Sequence, residues 1–171
     1  MDKRMFKKFM PDEYLDDIYK IDLDALKASG IRAFLCDIDN TLAPYEAAEP
    51  DERLKAWFDS VAKRGISIAF VSNNDAERVE LFNRDLGYPA FAKAGKPFRK
   101  SLVLAMEQMG SSADNTVMLG DQIFTDVYAG KNIGLHCILV KPINDKKTLF
   151  FRFKRALEKP ILKQYQKIHK S

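Results

Sequence analysis

Two aspartates spaced two residues apart, Asp37 and Asp39, are the side chains of this sequence best suited to chemistry. They stand in residues 35–41, Leu-Cys-Asp-Ile-Asp-Asn-Thr, directly after an apolar stretch that predicts a strand. Side chains repeat every second residue along extended backbone, so both carboxylates can point the same way. One could bind a cation or attack an electrophile while the other transfers a proton. Taken alone, the motif is equally compatible with a turn built from Asp and Asn.

Three further polar clusters each follow an apolar run of their own, and apolar residues at helical spacing lie between the runs. Strands that alternate with helices predict an α/β fold, a three-layer Rossmann-like parallel sheet with helices on both faces. Such sheets gather their sites beyond the carboxyl ends of the strands, so we expect the clusters to converge on one crevice. The clusters are Ser72, Asn73 and Asn74 after residues 66–71, Lys96 after residues 88–92, and Asp121 and Asp126 after residues 116–119.

This ordered set of motifs resembles that of the haloacid dehalogenase (HAD) superfamily of phosphohydrolases, over roughly residues 31–140. Asp-Ile-Asp-Asn-Thr is similar to the first motif, Asp-x-Asp-x-Thr, and the later clusters fall where the other motifs have Ser or Thr, Lys, and paired acids. More narrowly, Ser-Asn-Asn, Ala-Gly-Lys-Pro and Gly-Asp-Gln-x-x-Thr-Asp-Val resemble the YqeG-type phosphatases of subfamily IIIA. That group is similar to phosphatidylglycerophosphate phosphatases.

The resemblance implies phosphoryl transfer and a division of roles among three catalytic residues. Asp37 would be the nucleophile that forms an aspartyl-phosphate, and Asp39 would be the general acid and base. Lys96 would supply positive charge to the transferring oxygens. A hard divalent cation, Mg²⁺, would take oxygen ligands. The phosphate-binding set is Thr41, Ser72, Asn73 and Lys96, and the metal set is Asp37, the Ile38 carbonyl, Asp39, Asp121 and Asp126.

Each downstream residue has a structural alternative when it is considered alone. Asp121 could begin a helix, Lys96 could be a solvated surface lysine, and Ser72 could belong to a turn. Their order at the ends of alternating strands favours the catalytic interpretation. Within the superfamily, the acid at Asp39 indicates a phosphatase, because dehalogenases usually lack it and P-type ATPases have Lys-Thr after the first Asp.

The intervals between the motifs are too short for a cap domain. About a dozen residues separate Asp39 from the helix expected near Asp51, and 24 positions separate Ser72 from Lys96. We therefore expect an essentially capless site that is open to solvent. An open site can accept a phosphate carried on something too large to enclose, whereas enzymes that enclose small substrates use a lid.

Length and composition predict one globular domain. The chain has 171 residues, of which 46% are hydrophobic, and no linker divides it. We expect a core over about residues 31–140, with a basic N-terminal extension over 1–20 and a C-terminal extension over 141–171. No apolar run has the length of a membrane span, and no secretory segment is evident. The sequence therefore predicts a cytoplasmic protein, at most peripheral at the inner face of the membrane.

The formal net charge of +4 conceals an acidic body with two basic ends. Residues 1–10 carry four basic side chains and one acid, and residues 141–171 carry ten basic side chains and two acids. Aromatic and aliphatic residues alternate with these charges, and Pro160 is expected to break or kink any helix there. Basic segments with aromatics favour anionic membrane surfaces. Packing on the core is an equal alternative, and nucleic acid is a second possible anionic partner.

Two classes of function remain open. The leading hypothesis is a Mg²⁺-dependent phosphomonoesterase acting on a phospholipid head group such as phosphatidylglycerophosphate. Within the enzyme class, the alternative is another soluble phosphorylated metabolite or macromolecule. The second class is a phosphatase-like module that binds RNA or the ribosome. The complete motif set, including Asp37 and Lys96, favours an enzyme. The sequence does not indicate an oligomeric state.

Overall fold

A computed structural model describes residues 6–144 and 148–169, and its centre is a parallel sheet. In the described residues the sheet has six strands, in the order β1-β6-β5-β2-β3-β4. The prediction of a parallel α/β sheet is therefore confirmed. The strands are β1 (Glu13–Leu15), β2 (Ala33–Cys36), β3 (Ser67–Val71), β4 (Ala90–Phe91), β5 (Thr116–Gly120) and β6 (His136–Val140).

The central strand β2 explains where the site must form. It pairs in parallel with β3 on one side and with β5 on the other. Strands β3 and β4 therefore extend the sheet in one direction from β2, and β5 and β6 extend it in the opposite direction. All four residues of β2 are buried, as expected for a strand covered on both faces. The polar clusters that follow β2, β3 and β5 consequently meet at one edge, at the switch point of the strand order.

Helices cover both faces of the sheet. The buried side chains of α1, α2 and α3 pack with Phe34 and Phe70, whereas those of α4, α5 and α6 pack with Leu35 and Val71 on the opposite face. Neighbouring strand residues thus point to opposite layers, and the three-layer prediction is confirmed. The helices are α1 (Leu23–Ala28), α2 (Glu52–Lys63), α3 (Ala76–Asn83), α4 (Lys100–Met109), α5 (Tyr128–Asn132) and α6 (Leu149–His169).

The two intervals in which a cap would enter hold little structure. Residues 37–51 connect β2 to α2 through a turn, and the passage from β3 to β4 contains α3 alone. Two aspartates start these helices, since the carboxylate of Asp51 accepts the N–H of Leu54 and that of Asp75 accepts the N–H of Arg78. The crevice is therefore uncapped over the described part of the chain, as the motif spacing predicts.

Both predicted extensions contribute to the packed fold. Strand β1, within the N-terminal extension, joins the sheet edge beside β6. Helix α6 continues through Pro160 rather than ending there, and its Ile161 is buried against the sheet. The hydroxyl of Tyr165 accepts the backbone N–H of Tyr14 at 3.0 Å, which joins α6 to β1. Across residues 6–144 and 148–169, no helix combines the length and apolarity needed to cross a bilayer.

Candidate active site

The first motif is placed by the ladder of β2 and by a tight turn. The N–H of Asp37 donates to the Leu119 carbonyl at 2.9 Å, so Asp37 continues the pairing of β2 with β5. The chain then reverses, with Asn40 in the left-handed region at φ 62°. The carbonyl of Ile38 accepts the N–H groups of residues 41–43. The predicted role of this carbonyl as a metal ligand stays a prediction.

Three buried carboxylates, those of Asp37, Asp121 and Asp126, converge beyond the strand ends. One oxygen from each lies within 4.8 Å of the others. Lys96 is also buried, and its Nζ lies 3.0 Å from Asp37 Oδ1 and 2.6 Å from Asp126 Oδ1. The structure thus brings together four residues that are distant in the sequence. Lys96 pairs with two of the three carboxylates, and Arg155 pairs with the third, that of Asp121. Three acids against two cations leave an excess of negative charge at the centre.

The fourth motif adopts a single turn of π-helix over Ile123–Val127 that directs Asp126 back toward β5. Its Oδ2 accepts the N–H groups of Asp121 at 3.2 Å and Gln122 at 3.1 Å. A Cβ at Gly120 would lie 2.3 Å from the carboxyl carbon of Asp126. Glycine is required at this position because the acid lies directly against the backbone.

The electrostatics of the cluster follow from its burial. Burial, together with the neighbouring carboxylates of Asp126 and Asp121, raises the pKa of Asp37 well above its usual value, although Lys96 opposes the shift. Burial and Asp126 raise the pKa of Asp121 to about 6. Burial alone would lower the pKa of Lys96, but the carboxylates of Asp126 and Asp37 outweigh it and raise that pKa. Three oxygen donors with excess negative charge fit a hard divalent cation.

The raised pKa of Asp121 predicts an unusual dependence of stability on pH. In the cation-free folded protein this carboxyl keeps its proton up to about pH 6, whereas in the unfolded chain it ionises near its ordinary pKa of 3.8. Its contribution to the free energy of unfolding therefore falls as pH rises from about 4 to about 6. A cation binds only the ionised form, so Mg²⁺ should raise the melting temperature more at about pH 7 than at about pH 5.

Calorimetry with and without Mg²⁺ at both pH values measures this difference. Asp121→Asn is the matched variant, because the amide does not titrate and should reduce the pH dependence of the Mg²⁺ effect. An equal Mg²⁺-induced shift at both pH values in the unsubstituted protein would contradict the prediction.

The Asp39 carboxylate lies outside the three-carboxylate cluster. Asn74 Nδ2 donates to it at 2.9 Å and Arg78 Nε at 3.1 Å. The turn at Asn40 directs Asp39 toward the start of α3 instead of toward Asp121. Two donors therefore orient the Asp39 carboxylate. Its roles as a side-chain metal ligand and as a general acid and base stay predictions.

All four predicted phosphate-binding residues have protein partners in this structure, and those of Lys96 are the two acids described above. The Thr41 hydroxyl lies 3.2 Å from Asp37 Oδ2 and 3.1 Å from Asp121 Oδ1, so it bridges two acids. The Asn73 side chain bonds both the N–H and the carbonyl of Lys96, at 2.8 and 3.0 Å. It fixes the backbone of Lys96 rather than presenting its amide to the crevice. Ser72 is buried at the end of β3, where its hydroxyl accepts the N–H of Asn74.

Three residues of the site were not predicted from the sequence. Arg78 is brought to Asp39 by the Asp75 cap, which sets the first turn of α3. Arg155 and Glu158 come from α6, where Arg155 bonds Asp121 and Glu158 is buried. The one signal in the sequence was the rare acid Glu158, three residues after an arginine within a strongly basic segment.

The chain is similar to phosphatases of known families. Residues 93–148 match a family model described as HAD-hydrolase-like. Over 159 residues the chain is 38% identical to the probable phosphatase YqeG of Bacillus subtilis, a match that covers 92% of each protein. It is 28% identical to phosphatidylglycerophosphate phosphatase 1 of Arabidopsis thaliana, a match that covers 91% of this chain and 48% of that protein.

Solved structures share the fold at low sequence identity. An uncharacterized protein from Listeria monocytogenes serotype 4b superposes with a TM-score of 0.55 and 15% identity, over 69% of this chain and 85% of that chain. The core domain of a candidate phosphoglycolate phosphatase from Streptococcus pneumoniae gives a TM-score of 0.50 and 19% identity, over 75% of this chain and 96% of that chain. At these identities the likeness is one of fold.

Proposed function

Since this chain belongs to the haloacid dehalogenase-like phosphatases of the YqeG type, we propose that it hydrolyses phosphomonoesters with Asp37 as the nucleophile. The observation that carries the proposal is the buried group formed by Asp37, Asp121 and Asp126 around Lys96. A buried lysine beside paired acids at a strand switch point is the arrangement that phosphoryl transfer needs, namely positioning and charge.

The proposed reaction has two displacement steps. A carboxylate oxygen of Asp37 attacks phosphorus, the bond to the leaving oxygen breaks, and Asp39 gives that oxygen a proton. In the second step, water attacks phosphorus, Asp39 takes its proton, and inorganic phosphate and free Asp37 are released. Asn74 and Arg78 hold Asp39 in one orientation beside the nucleophile, which supports this assignment. Lys96 keeps its positive charge where the transferring oxygens would lie.

We propose that Mg²⁺ is bound by the carboxylates of Asp37, Asp121 and Asp126. Oxygen ligands from carboxylates suit this cation, and their convergence in a buried position supports the assignment. When bound, Mg²⁺ would offset the negative charge that otherwise repels a phosphate. Thr41 then has the role of orienting Asp37 and Asp121, whose oxygens it bridges.

For the substrate we propose a phosphorylated lipid head group such as phosphatidylglycerophosphate. The uncapped crevice supports a substrate presented on a surface. Two relatives with that activity in their names match this chain, the Arabidopsis thaliana protein and a 26% identical protein from Chlamydomonas reinhardtii. The chain spans about half the length of these relatives, 48% and 53%, so the substrate is a proposal that needs its own test. The alternative within the enzyme class is a soluble phosphorylated metabolite or macromolecule.

The outer face of α6 supports contact with an anionic membrane. Phe150 and Phe153 are 67% and 62% exposed, and Leu149 and Leu157 are exposed beside them. Lysines and arginines alternate with these residues along the helix. Apolar side chains interspersed with basic ones suit the interface of an anionic bilayer. We accordingly propose a peripheral position at the inner face of the membrane, with the enzyme otherwise in the cytoplasm.

A phosphate-release screen tests the proposed activity. Lipid-borne and soluble phosphomonoesters would be compared side by side, with and without Mg²⁺. We expect Mg²⁺-dependent release, with phosphatidylglycerophosphate in vesicles as the preferred substrate. Preference for a soluble phosphate would replace the lipid assignment and retain the phosphatase. Tight RNA binding with no release from any substrate would favour the binding-module alternative.

Membrane contact predicts binding to anionic vesicles that salt weakens. Each basic residue near an anionic surface contributes about 1 kcal/mol, and exposed charges are screened beyond about 8 Å at physiological ionic strength. Lys163→Gln with Lys167→Gln should reduce sedimentation with anionic vesicles, and Phe150→Ser with Phe153→Ser should reduce it further. Hydrolysis of a small soluble phosphate should be unchanged in both double variants. Leu104→Ser, at an exposed leucine of α4, is the matched control.

The other basic end offers a second set of charges for the same test. Lys7 and Lys8 can be replaced with Gln together with Lys3 and Arg4, which lie outside the described residues, as does Lys170 at the far end of the chain. Equal binding to neutral and anionic vesicles, with no effect of salt, would remove the membrane proposal. In direct competition, RNA should not displace the protein from anionic vesicles.

A further inference from the structure

We propose that Arg155 and Glu158, one turn apart on the inner face of α6, are positioning residues that fix the acidic cluster for a divalent cation. The inference rests on the proposed function in taking Asp121 and Asp126 as ligands of that cation. It extends that function by giving helix α6 a role in the site. Arg155 acts on Asp121, and Glu158 acts on the turn that carries Asp126.

Arg155 holds Asp121 at two points. Its Nη2 lies 3.0 Å from Asp121 Oδ2, and its Nη1 donates to the Asp121 carbonyl at 2.9 Å. The other carboxylate oxygen, Oδ1, accepts the Thr41 hydroxyl, which also bonds Asp37. Oδ1 is therefore the oxygen that faces the cluster, and Oδ2 faces away from it. One planar guanidinium holds side chain and backbone together, so Asp121 cannot change rotamer without losing these bonds.

Glu158 holds the segment that carries Asp126. Its Oε1 accepts the N–H of Ile123 at 3.0 Å, which is the first residue of the π-helical turn. Its Oε2 lies 2.8 Å from Arg155 Nη1, so the two residues support each other. Glu158 is buried, and a buried carboxylate is stable there because it has both partners. Through these bonds, α6 fixes the beginning of the turn that carries Asp126.

Charge and positioning predict opposite results when Arg155 is removed. If Arg155 acted only by its charge, its loss would tighten cation binding, because a repulsive neighbour would be gone. If it acts by positioning, its loss should weaken binding, because the Asp121 carboxylate would be free to occupy other rotamers. Groups that orient metal ligands typically contribute about 10–100-fold in metal affinity. The sign of the change therefore separates the two roles.

The test is calorimetric titration of the full-length protein with Mn²⁺ in the absence of substrate, a readout independent of activity. Mn²⁺ is the probe because it shares the preference of Mg²⁺ for carboxylate ligands. Arg155→Gln should bind Mn²⁺ at least about tenfold more weakly. Arg155→Lys should lose less, because its ammonium can still donate one hydrogen bond to Asp121, although it lacks the planar fork that makes two. Arg152→Gln, at an exposed arginine one turn away, should leave affinity unchanged.

Glu158→Gln provides an independent test of the proposal. The amide can still accept the Ile123 N–H but cannot form the ion pair with Arg155, so Mn²⁺ affinity should fall by several-fold. Unchanged or tighter Mn²⁺ binding by folded Arg155→Gln would overturn the proposal. If circular dichroism shows that this variant does not fold, unchanged affinity in both Arg155→Lys and Glu158→Gln would overturn it. Absence of Mn²⁺ binding by the unsubstituted protein would instead reject the cation assignment itself, and this inference with it.

Discussion

Replacing Asp37 with asparagine is expected to abolish phosphate release from every substrate that the protein hydrolyses. An amide is a poor nucleophile, so no aspartyl-phosphate can form. The substitution also removes one of three clustered carboxylates and, with it, the ion pair that Lys96 Nζ makes with Asp37 Oδ1. Release of inorganic phosphate in a steady-state assay measures the effect, and trapping of labelled phosphate on the protein tests for the intermediate directly.

The loss of phosphate release in Asp37→Asn should result from the missing nucleophile and not from unfolding of the protein. The pKa of Asp37 is raised by burial and by neighbouring carboxylates, so an uncharged amide should be tolerated and the melting temperature should be retained. Asp59→Asn, an exposed aspartate on α2, is the control for the chemical change itself. Asp39→Asn should instead slow both proton transfers, by roughly 10²–10⁴-fold. Near-native turnover by Asp37→Asn would show that the nucleophile has been assigned wrongly.

Removing divalent cations is expected to stop turnover, and added Mg²⁺ should restore it. The three buried carboxylates outnumber the two cations paired with them, Lys96 and Arg155, so the remaining negative charge would repel a phosphate dianion. In a buried site this repulsion is poorly screened. The measurement is phosphate release after treatment with a chelator, followed by titration with Mg²⁺ and, separately, with Ca²⁺. Ca²⁺ should restore less, because it prefers longer bonds and more ligands.

The control for this experiment is the fold of the chelated protein. Circular dichroism should be unchanged by the chelator, since the strands and helices do not depend on the cation. Asp126→Asn should require a higher Mg²⁺ concentration, because it loses a charged donor of the cluster. Undiminished phosphate release in excess chelator would reject Mg²⁺ dependence while leaving the role of Asp37 open.

The sequence predicts the strand ends well and the turns poorly. Polar residues after β2, β3 and β5 could be placed together because parallel topology brings the carboxyl ends of these strands to one edge. The direction of Asp39 could not be predicted from alternation along a strand. The left-handed residue Asn40 ends the strand geometry and directs Asp39 to Asn74 and Arg78.

The contribution of α6 escaped prediction for a different reason. Its contact with the site joins Arg155 to Asp121, 34 positions apart, and depends on how the helix docks. No local pattern encodes that docking, and apolar residues occur on both sides of the helix. Ile161 is buried while Phe153 is exposed, so the alternatives of core packing and surface contact each describe one face.

The pairing of the first strand with the last has a consequence for synthesis on the ribosome. Strand β1 forms its ladder with β6, and Tyr14 bonds Tyr165, 151 positions later in the chain. An emerging chain must therefore hold its first strand without its sheet partner until residues 136–140 have been made. Contacts of such long range delay folding, because the intervening loop loses entropy before the contact compensates for it. The acids and the lysine are synthesised before α6, so Arg155 is not there to orient Asp121 until this last helix has been made.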